Sequence, residues 1–340
     1  MESLFSEIIQ KVLTPHKLGK PVITGSGNQR AFDSQGVDIP FVFYHRNQFH
    51  MLYVGFNGDG YQTALAFSDD LLHWKVKGIV LKKRDDKKQW DHVGAAATWI
   101  IKETDNLFEI PALKKINNRY WMVYHSYPEI GYERGPAKIG LAWSEDEDLL
   151  QWNRLDKPIY SWEGGDDWER GGLYKACIIK DDELYYMFYN AKEKGKVPWT
   201  EQIGVATSSD LLHWDRYPGN PVLKVTKGAW DSRFVSDPCV VYNGGQWLMF
   251  YYGFDGRHAQ DGCAVSEDLL HWEKTPDPIV HFGNPGELDE IHAHKPAVIC
   301  HNRILYHFYC AVRKYKEGDP TKNYDEFRCI TVATSKPVNS

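Results

Sequence analysis

The heptad Ser-Asp-Asp-Leu-Leu-His-Trp at residues 68–74 decides the fold, because close copies of it return at 144–152, 208–214 and 266–272. Their tryptophans fall at positions 74, 152, 214 and 272, so the copies recur every 58–78 residues. Repetition at this spacing indicates one supersecondary unit that is built several times. Serine and aspartate are turn and cap residues, and the leucines and tryptophan are suited to packing between units. Since every copy shares these residues, we interpret the heptad as structural.

Each heptad belongs to a unit of about four strands. An aromatic strand precedes the heptad, an apolar strand precedes the aromatic one, and the turns between them are typical of hairpins. A third strand such as 203–207 leads into the heptad, and a fourth such as 221–223 follows it. A fifth aromatic strand at 306–309 has no heptad after it, so the sequence contains five units. We therefore predict an all-β fold, a five-bladed β-propeller with four antiparallel strands per blade. The predicted inner strands are 40–43, 111–113, 176–179, 238–241 and 296–299.

The two ends of the chain are predicted to meet in one blade. The last blade lacks a fourth strand, and the segment 20–24 resembles one, so we expect it to complete that blade and close the ring. Residues 1–13 have helical spacing and predict a short helix outside the ring, with self-association as a less favoured role. We thus expect a helical extension at 1–19 and a propeller domain at 20–340. The apolar residues of this helix are Leu4, Phe5, Ile8, Ile9, Val12 and Leu13.

Composition narrows the classes of function. The net charge of −6 and the lack of a long basic run argue against nucleic acid. The sequence has no stretch of ~18 apolar residues, so we predict no membrane helix. The N-terminus lacks a signal-peptide pattern, and the cytoplasm is therefore the expected location. The six cysteines occur singly, which indicates reduced core thiols rather than zinc or redox motifs. Among 13 Trp, 20 Tyr and 15 Phe, most must pack the blades, and a few would suit a sugar site.

Candidate site residues come from the positions at which the five blades differ. The inner strands of a propeller begin at one mouth of the channel, and the residues just before the predicted inner strands carry charges. Carboxylates that converge with cations have separated pKa values, which is what acid–base chemistry uses. An Asx turn is the alternative for each aspartate, a satisfied structural role for each histidine, and a solvated surface role for Arg313. We expect catalytic roles for Asp38, Glu109 and Asp237, and substrate contacts from Tyr174, Lys175, His292, His294, Lys295 and Arg313.

A second layer of acids precedes these positions. Each blade has an aromatic residue or leucine followed by an acid, at 32–33, 90–91, 168–169, 230–231 and 288–289. Because all five blades have the pair, a structural turn or cap is the favoured interpretation. Glu169 lies in the less regular segment Trp168-Glu169-Arg170-Gly171-Gly172 and stays a candidate catalytic residue.

The blade opening at 236–241, followed by the aromatic strand at 247–253, resembles the five-bladed propeller glycoside hydrolases, which include families 43, 62, 32, 68, 117 and 130. The resemblance covers residues 20–340, and family 43 is the nearest model. It implies a general base from the first blade, for which Asp38 matches, and an aspartate that tunes the acid, for which Asp237 matches. It also implies a glutamate general acid, for which we choose Glu109, with Glu169 as the alternative. The Asn-Asp-Pro, Arg-Asp-Pro and Glu-Cys signatures of the family 32 fructan enzymes are absent.

The function implied is hydrolysis of a terminal glycosidic bond in an oligosaccharide or glycoside, with inversion by analogy to family 43. No cofactor is required, and a calcium or sodium ion in the channel would be structural. The inserts at 98–107, 126–136, 192–200 and 314–326 could wall an exo-acting pocket. One alternative is a phosphorylase similar to family 130, with phosphate bound by Lys175, His294, Lys295 and Arg313. The other is a non-catalytic carbohydrate-binding or protein-interaction propeller. The sequence does not decide between a monomer and an oligomer.

Overall fold

Residues 2–338, whose backbone is described, form one short helix and 21 strands. The computed structural model describes the backbone of residues 2–338 and the side chains from residue 7 onward. The helix is α1 (Glu2–Val12). The strands are β1 (His16–Lys17), β2 (Ile23–Thr24), β3 (Gly36–His45), β4 (Gln48–Phe56), β5 (Tyr61–Ser68), β6 (Lys75–Leu81), β7 (Ala96–Ile100), β8 (Tyr120–Ser126), β9 (Lys138–Ser144), β10 (Asn153–Arg154), β11 (Leu173–Asp181), β12 (Leu184–Lys192), β13 (Glu201–Ser208), β14 (Asp215–Arg216), β15 (Phe234–Tyr242), β16 (Trp247–Phe254), β17 (Ala259–Ser266), β18 (Glu273–Lys274), β19 (His292–His301), β20 (Ile304–Lys314) and β21 (Glu326–Thr334).

These strands form five blades around a ring. The first four blades are the antiparallel meanders β3–β6, β7–β10, β11–β14 and β15–β18, and the fifth contains β19–β21. The inner strands β3, β7, β11, β15 and β19 contact one another in turn, and β19 returns to β3. The all-β propeller predicted from the repeat is therefore confirmed, and these contacts are consistent with the five predicted blades.

The N-terminal segment completes the fifth blade. Strands β1 and β2 both pair antiparallel with β21, with His16 opposite Thr334 and Ile23 opposite Ile330. Residues 20–24 thus close the ring as predicted, but the N-terminal segment already joins the sheet of the fifth blade at His16. That residue lies inside the segment 1–19 assigned to the helical extension.

The helix α1 packs on the ring through its apolar face. Ile8 and Val12 are buried in the largest hydrophobic core, and Ile9 packs against it. The helix lies near Phe108 and the turn at 243–246, at the end of the channel where the inner strands finish. Leu4 and Phe5 lie outside the residues whose side chains are described. Within the described part of the chain, no helix has the length and apolarity that crossing a membrane would need.

The heptad forms a turn that joins the third and fourth strands. In the first copy, Ser68 Oγ accepts the N–H of Leu71 at 2.9 Å, and Trp74 Nε1 donates to the carbonyl of Leu71 at 3.0 Å. Leu71 itself has a left-handed φ of 67°. The Trp74 ring meets Phe308 of the fifth blade edge-on at 5.8 Å. The structure therefore agrees with the interpretation of the heptad as turn and inter-blade packing.

The predicted inner strand of the second blade is wrong. Residues 111–113 form only single bridges, to Tyr44 and Lys102, and the inner strand is β7. The segment Gly94-Ala95 and the first residues of β7, Ala96-Ala97, have no charged side chain, unlike the openings of the other blades, so no charge marks this opening in the sequence. The extra residues lie between β7 and β8, as an insertion that returns to the far end of the channel.

The aromatic–acid layer is a structural device repeated in every blade. Each acid is buried, and in four blades it forms an ion pair with a cation of the fourth strand. Glu169 belongs to this set, since Tyr189 donates to it at 2.8 Å and Arg216 lies at 2.6 Å. Its proposed catalytic role therefore does not fit its placement. The ion pairs are Asp91–Arg154, Glu169–Arg216, Asp231–Lys274 and Asp289–Lys17.

Glu169→Gln is expected to lower stability rather than catalysis per folded molecule. Removal of one member of a buried ion pair costs ~3 kcal/mol, because the partner charge stays buried without compensation. Asp289→Asn is the matched control, since Asp289 has the same role in the fifth blade. Chemical denaturation should give similar losses for both variants, and kcat normalised to folded protein should stay near that of the parent. A loss of kcat confined to Glu169→Gln, with unchanged stability, would contradict this assignment.

Candidate active site

Four inner strands begin with a β-bulge at the same mouth of the channel. The pairing register shifts after Asp38, Tyr174, Ser236 and His294. At each bulge the next residue takes a left-handed φ, which is rare for side chains of this size. Bulges change the direction of side chains and are frequent at functional sites, where such strain is tolerated. The left-handed residues are Ile39 (φ 50°), Lys175 (φ 36°), Asp237 (φ 55°) and Lys295 (φ 67°).

The bulges correct the equivalences expected from the sequence. Asp38 occupies the position of Ser236 and His294, whereas Asp237 occupies the next position, with Lys175 and Lys295. The two aspartates therefore come from successive positions of different blades. The second blade has Ala96 and Ala97 at these positions, so its inner strand brings no charge to the mouth.

Asp38 and Lys295 form a buried ion pair at the centre of this mouth. Lys295 Nζ donates to Asp38 Oδ2 at 2.8 Å, and an Arg328 nitrogen lies 3.7 Å from the same oxygen. The other carboxylate oxygen accepts the N–H of Ile39 at 3.0 Å. Burial alone would raise the pKa of Asp38, but Lys295 and Arg328 outweigh it and hold that pKa well below its usual range. Asp38 is therefore ionised at any working pH.

Asp237 is buried beside the same lysine. Ser236 Oγ lies 3.2 Å from Asp237 Oδ1, and Oδ2 has no hydrogen-bond partner among the described residues. Burial raises the pKa of Asp237, with a contribution from Asp38, and the charges of Lys295 and Lys175 oppose the rise. Lys175 is buried at this position too. Asp38, Asp237, Lys175 and Lys295 are thus brought together, as the sequence predicted.

Glu201, at the start of β13, is a buried carboxyl that the sequence did not single out. Trp199 Nε1 donates to its Oε1 at 3.0 Å, and Ser236 Oγ and Asn190 Nδ2 lie 3.1 and 3.4 Å from Oε2. Burial raises the pKa of Glu201 to about 7, and the charges of Glu133 and Asp237 add to the rise against that of Lys192. A carboxyl with such a pKa holds its proton near neutrality.

Glu133 reaches the site from the insert at 126–136. Its Oε1 accepts the hydroxyl of Tyr61 at 3.0 Å and lies 3.7 Å from Lys295 Nζ, while 30% of the side chain stays exposed. Gly131 (φ 126°) and Gly135 (φ 78°) flank it in conformations that favour glycine. This insert therefore contributes a carboxylate that solvent and substrate can reach.

Glu109 lies away from this group. It is exposed, accepts from Asn106 at 3.1 Å, and lines a cleft of about 700 Å³ with Lys102 and Lys180. This cleft is near Tyr242, at the opposite end of the inner strands. The choice of Glu109 as general acid followed from the misplaced inner strand, and its position contradicts a role beside Asp38.

The remaining candidates have internal partners. Arg313 forms a two-pronged pair with Asp319 at 2.7 and 2.6 Å, so its guanidinium is occupied. The Nδ1 atom of His292 accepts the N–H of Ala259 at 3.0 Å, and burial lowers the pKa of His292 to about 3.

His294 and Tyr174 lie at the mouth but are likewise bonded. His294 Nδ1 donates to the carbonyl of Cys310 at 3.0 Å, and burial holds its pKa well below the usual value. Tyr174 stacks on Tyr127 at 5.2 Å, and its hydroxyl donates to the carbonyl of Gly171 at 3.1 Å. Both side chains are fixed in the wall of the site.

Potential metal ligands occur beside the ion pair. Within the described residues, ligand atoms of Asp38, His294 and Cys310 lie within 4.8 Å of one another. The ammonium of Lys295 and the guanidinium of Arg328 already contact Asp38, and two positive charges there oppose a cation. The residues of this group therefore do not fit a metal ion.

Glu201 and Arg328 stand out when the third strands of the five blades are compared position by position, as the first strands were above. They open the third strand of their blades at equivalent positions, where the others have Tyr61, Ala137 and Ala259. Glu133 lies in the loop between the second and third strands of its blade, which is also lengthened in the third and fifth blades, and the insert was the one signal for it in the sequence.

Comparison with known proteins agrees with the fold. The protein belongs to the propeller glycoside hydrolase superfamily, as predicted. The family model for the glycosyl hydrolases family 32 N-terminal domain matches residues 104–281, more than half of the chain, and the protein belongs to this family. The resemblance in the sequence made family 43 the nearest model, whereas the matching family model is that of family 32. The fructan signatures of family 32 are nevertheless absent from the sequence.

Two curated relatives come from Thermoanaerobacter sp. (strain X514). One, a beta-1,2-mannobiose phosphorylase, is 30% identical over 133 residues, which are 35% of this chain and 43% of the relative. The other, a 1,2-beta-oligomannan phosphorylase, is 28% identical over 134 residues, 37% of this chain and 45% of the relative. The chain thus spans less than half the length of these relatives.

Two solved structures illustrate the likeness in fold. One, a glycoside hydrolase, has a TM-score of 0.86 and 29% identity, over 100% of this protein and 96% of the other. The second, a thermostable family-43 glycoside hydrolase, has a TM-score of 0.65 and 20% identity, over 96% of this protein and 97% of the other. The second shows a shared fold alone.

Proposed function

We propose that this protein hydrolyses glycosidic bonds, with Glu201 as general acid and Glu133 as the carboxylate that activates water. The observation that carries the proposal is the burial of Glu201 near Asp237 and Glu133, which raises its pKa to about 7. Paired carboxyl groups whose environments separate their pKa values are the basis of glycoside hydrolysis. The family to which the chain belongs supports the same activity.

Glu201 is suited to protonate the leaving oxygen. The indole of Trp199 and the hydroxyl of Ser236 fix the orientation of its carboxyl group. Asp237 contributes to the raised pKa, which is the tuning role that the resemblance implied for it. When the proton has left, Lys192 is the charge that favours the carboxylate.

Two carboxylates compete for the second role, Asp38 and Glu133. A general base works best with a pKa near the operating pH, and the pKa of Asp38 lies far below that. Asp38 is also buried and bonded to Lys295 on the oxygen that faces Arg328. Glu133 is partly exposed, and among the described side chains only Tyr61 donates a hydrogen bond to it. We therefore assign water activation to Glu133, and to Asp38 the task of holding Lys295.

The experiment that tests the activity is a screen of aryl arabinofuranosides, xylosides, galactosides, fucosides and glucosides, with and without inorganic phosphate. We expect turnover of at least one of them in the absence of phosphate. Proton NMR of the first product should show the inverted anomer. Failure on every glycoside, with and without phosphate, would favour the non-catalytic carbohydrate-binding alternative.

A phosphorylase is the second candidate, favoured by the names of the Thermoanaerobacter relatives. The buried cations Lys175 and Lys295 would then hold phosphate at the mouth. In that case turnover should require phosphate and release a sugar 1-phosphate. A rate independent of phosphate would remove this candidate.

We propose further that the substrate is an oligosaccharide and that catalysis requires no cofactor. The acid–base pair supplies the whole chemistry of hydrolysis, and the charges around Asp38 oppose a bound cation. Dialysis against a chelator should leave kcat/KM unchanged.

The pH dependence of kcat/KM should report Glu201. The group acts while protonated and its pKa is raised to about 7, so activity is present below that pH and is lost as the pH rises through it. We expect kcat/KM to fall about tenfold per pH unit above this value. A pH–rate profile with an unactivated oligosaccharide, whose leaving oxygen needs protonation, tests this, and the alkaline decline should disappear in Glu201→Gln. A decline that persists in that variant would assign it to another group.

A further inference from the structure

A pair of cations surrounds an aromatic side chain next to Glu201. Lys192 Nζ lies 4.3 Å from the ring centre of Trp199, and the Arg233 guanidinium lies 5.7 Å from it. Trp199 stacks on Phe234 at 6.0 Å with an interplanar angle of 20°. All four side chains are partly exposed. Two cations and an aromatic pair are therefore partly accessible to solvent beside Glu201.

Neither cation is neutralised by the protein. Among the residues that the structure describes, no carboxylate oxygen lies within 4.0 Å of Lys192 or Arg233. Arg233 Nε is buried and has no hydrogen-bond partner in that part of the chain. By contrast, Lys295, Arg313 and Arg328 each have an acid as partner. The partly exposed side chains of Lys192 and Arg233 are therefore available to an anion that a ligand brings.

The position of these cations assigns them to one side of the reaction. Lys192 lies opposite Glu201 across the β12–β13 pair, and the N–H of Glu201 donates to the carbonyl of Arg233 at 3.2 Å. Groups that surround the general acid contact the leaving part of the substrate, because the acid protonates the leaving oxygen. A phosphate nucleophile would approach from the opposite face.

We propose that Lys192 and Arg233 bind an anionic substituent, a uronate carboxylate or a sulfate ester, on the leaving-group sugar. The proposal rests on the assignment of Glu201 as general acid. Arginine and lysine bind carboxylate and sulfate oxygens through charge-assisted hydrogen bonds. The substrate class is then an acidic oligosaccharide rather than a neutral one.

The test compares three sugars that differ only at C6: D-glucose, D-glucuronate and D-glucose 6-sulfate. Binding is measured by tryptophan fluorescence and calorimetry at two salt concentrations. We expect at least one anionic sugar to bind about tenfold more tightly than glucose, as a charge-assisted hydrogen bond provides, and the difference to shrink in high salt. The stronger of the two anions identifies the source of the charge. Equal binding of all three sugars would overturn the proposal.

Variants assign the effect to these side chains. Arg233→Gln and Lys192→Gln should each reduce the preference for the anionic sugar, and either one serves if the other fails to fold. Lys196→Gln is the matched control, because it removes one charge from the same insert, where Lys196 pairs with Glu193. An undiminished preference in both folded variants would contradict the site.

The outcome is separable from that of the proposed activity. If Glu201→Gln binds the anionic sugar but the parent protein hydrolyses no glycoside, the activity fails and the anion site stands. If the parent protein hydrolyses glycosides without any preference for an anionic sugar, the anion site fails and the activity stands.

Discussion

Glu201→Gln is expected to lower kcat on an unactivated oligosaccharide by about a hundredfold to ten-thousandfold, the range that general acid catalysis contributes. The substitution keeps the size of the side chain and its bonds to Trp199 and Ser236, but it removes the proton that the leaving oxygen needs. KM should change little, because the amide still occupies the position of the acid. Steady-state kinetics on an oligosaccharide substrate measure both constants.

The effect of Glu201→Gln on the rate should depend on the acidity of the leaving group, and this dependence is the most specific test of a general acid. An aryl glycoside with a strongly acidic phenol leaves without protonation, so Glu201→Gln should retain most of its rate on that substrate. Glu129→Gln is the control, since Glu129 is exposed on the neighbouring insert and lies 3.8 Å from the exposed Arg134. An equal loss on good and poor leaving groups would show that Glu201 is not the acid.

The repeat in the sequence was sufficient for the fold. Each Ser-x-Asp-Leu-Leu-x-Trp turn bonds within itself, as at Ser68 and Trp74, so its meaning does not depend on distant residues. The five-fold comparison also recognised the aromatic–acid layer as structural. Local patterns of this kind can be interpreted without knowledge of the tertiary structure.

The site was only partly predictable because its register depends on bulges. The extra residue at each bulge places Asp38 and Asp237 at successive positions, and no local pattern in the sequence reports that shift. In the second blade, the inner strand begins with small uncharged residues and so could not be recognised from charge. The insert with Glu109 has the acid and the proline that other blade openings have, and it was mistaken for one. Glu201 owes its pKa to burial beneath groups from other blades, which is a property of the tertiary structure alone.

The arrangement around Lys295 explains why three carboxylates occur at one mouth. Lys295 contacts Asp38 at 2.8 Å and Glu133 at 3.7 Å, and it lowers the pKa of Asp237. A single buried ammonium thus reduces the repulsion among acids that come from three blades. Asp38 fixes the position of Lys295, and Lys295 in turn keeps Glu133 near the site.

Glu133→Ala should lower kcat by about a thousandfold or more if Glu133 activates the attacking water, because the variant lacks a base at that position. A small anion such as azide or formate can enter the space that the side chain leaves. We therefore expect either anion to restore part of the rate in Glu133→Ala but not in Glu133→Gln, whose amide fills that space. The rates are measured with an aryl glycoside, for which departure of the leaving group is not limiting.

Asp38→Asn provides the contrast that separates the two carboxylates. It leaves Lys295 buried without its closest counter-charge, so we expect a lower melting temperature and weaker substrate binding, because breaking a buried pair leaves an uncompensated charge. Added azide should not restore the rate of Asp38→Asn, because the asparagine keeps the volume of the aspartate and leaves no space for the anion beside Lys295. If azide rescued Asp38→Ala and not Glu133→Ala, the two roles would be exchanged, and the low pKa of Asp38 would then describe the resting enzyme before the substrate draws Lys295 away.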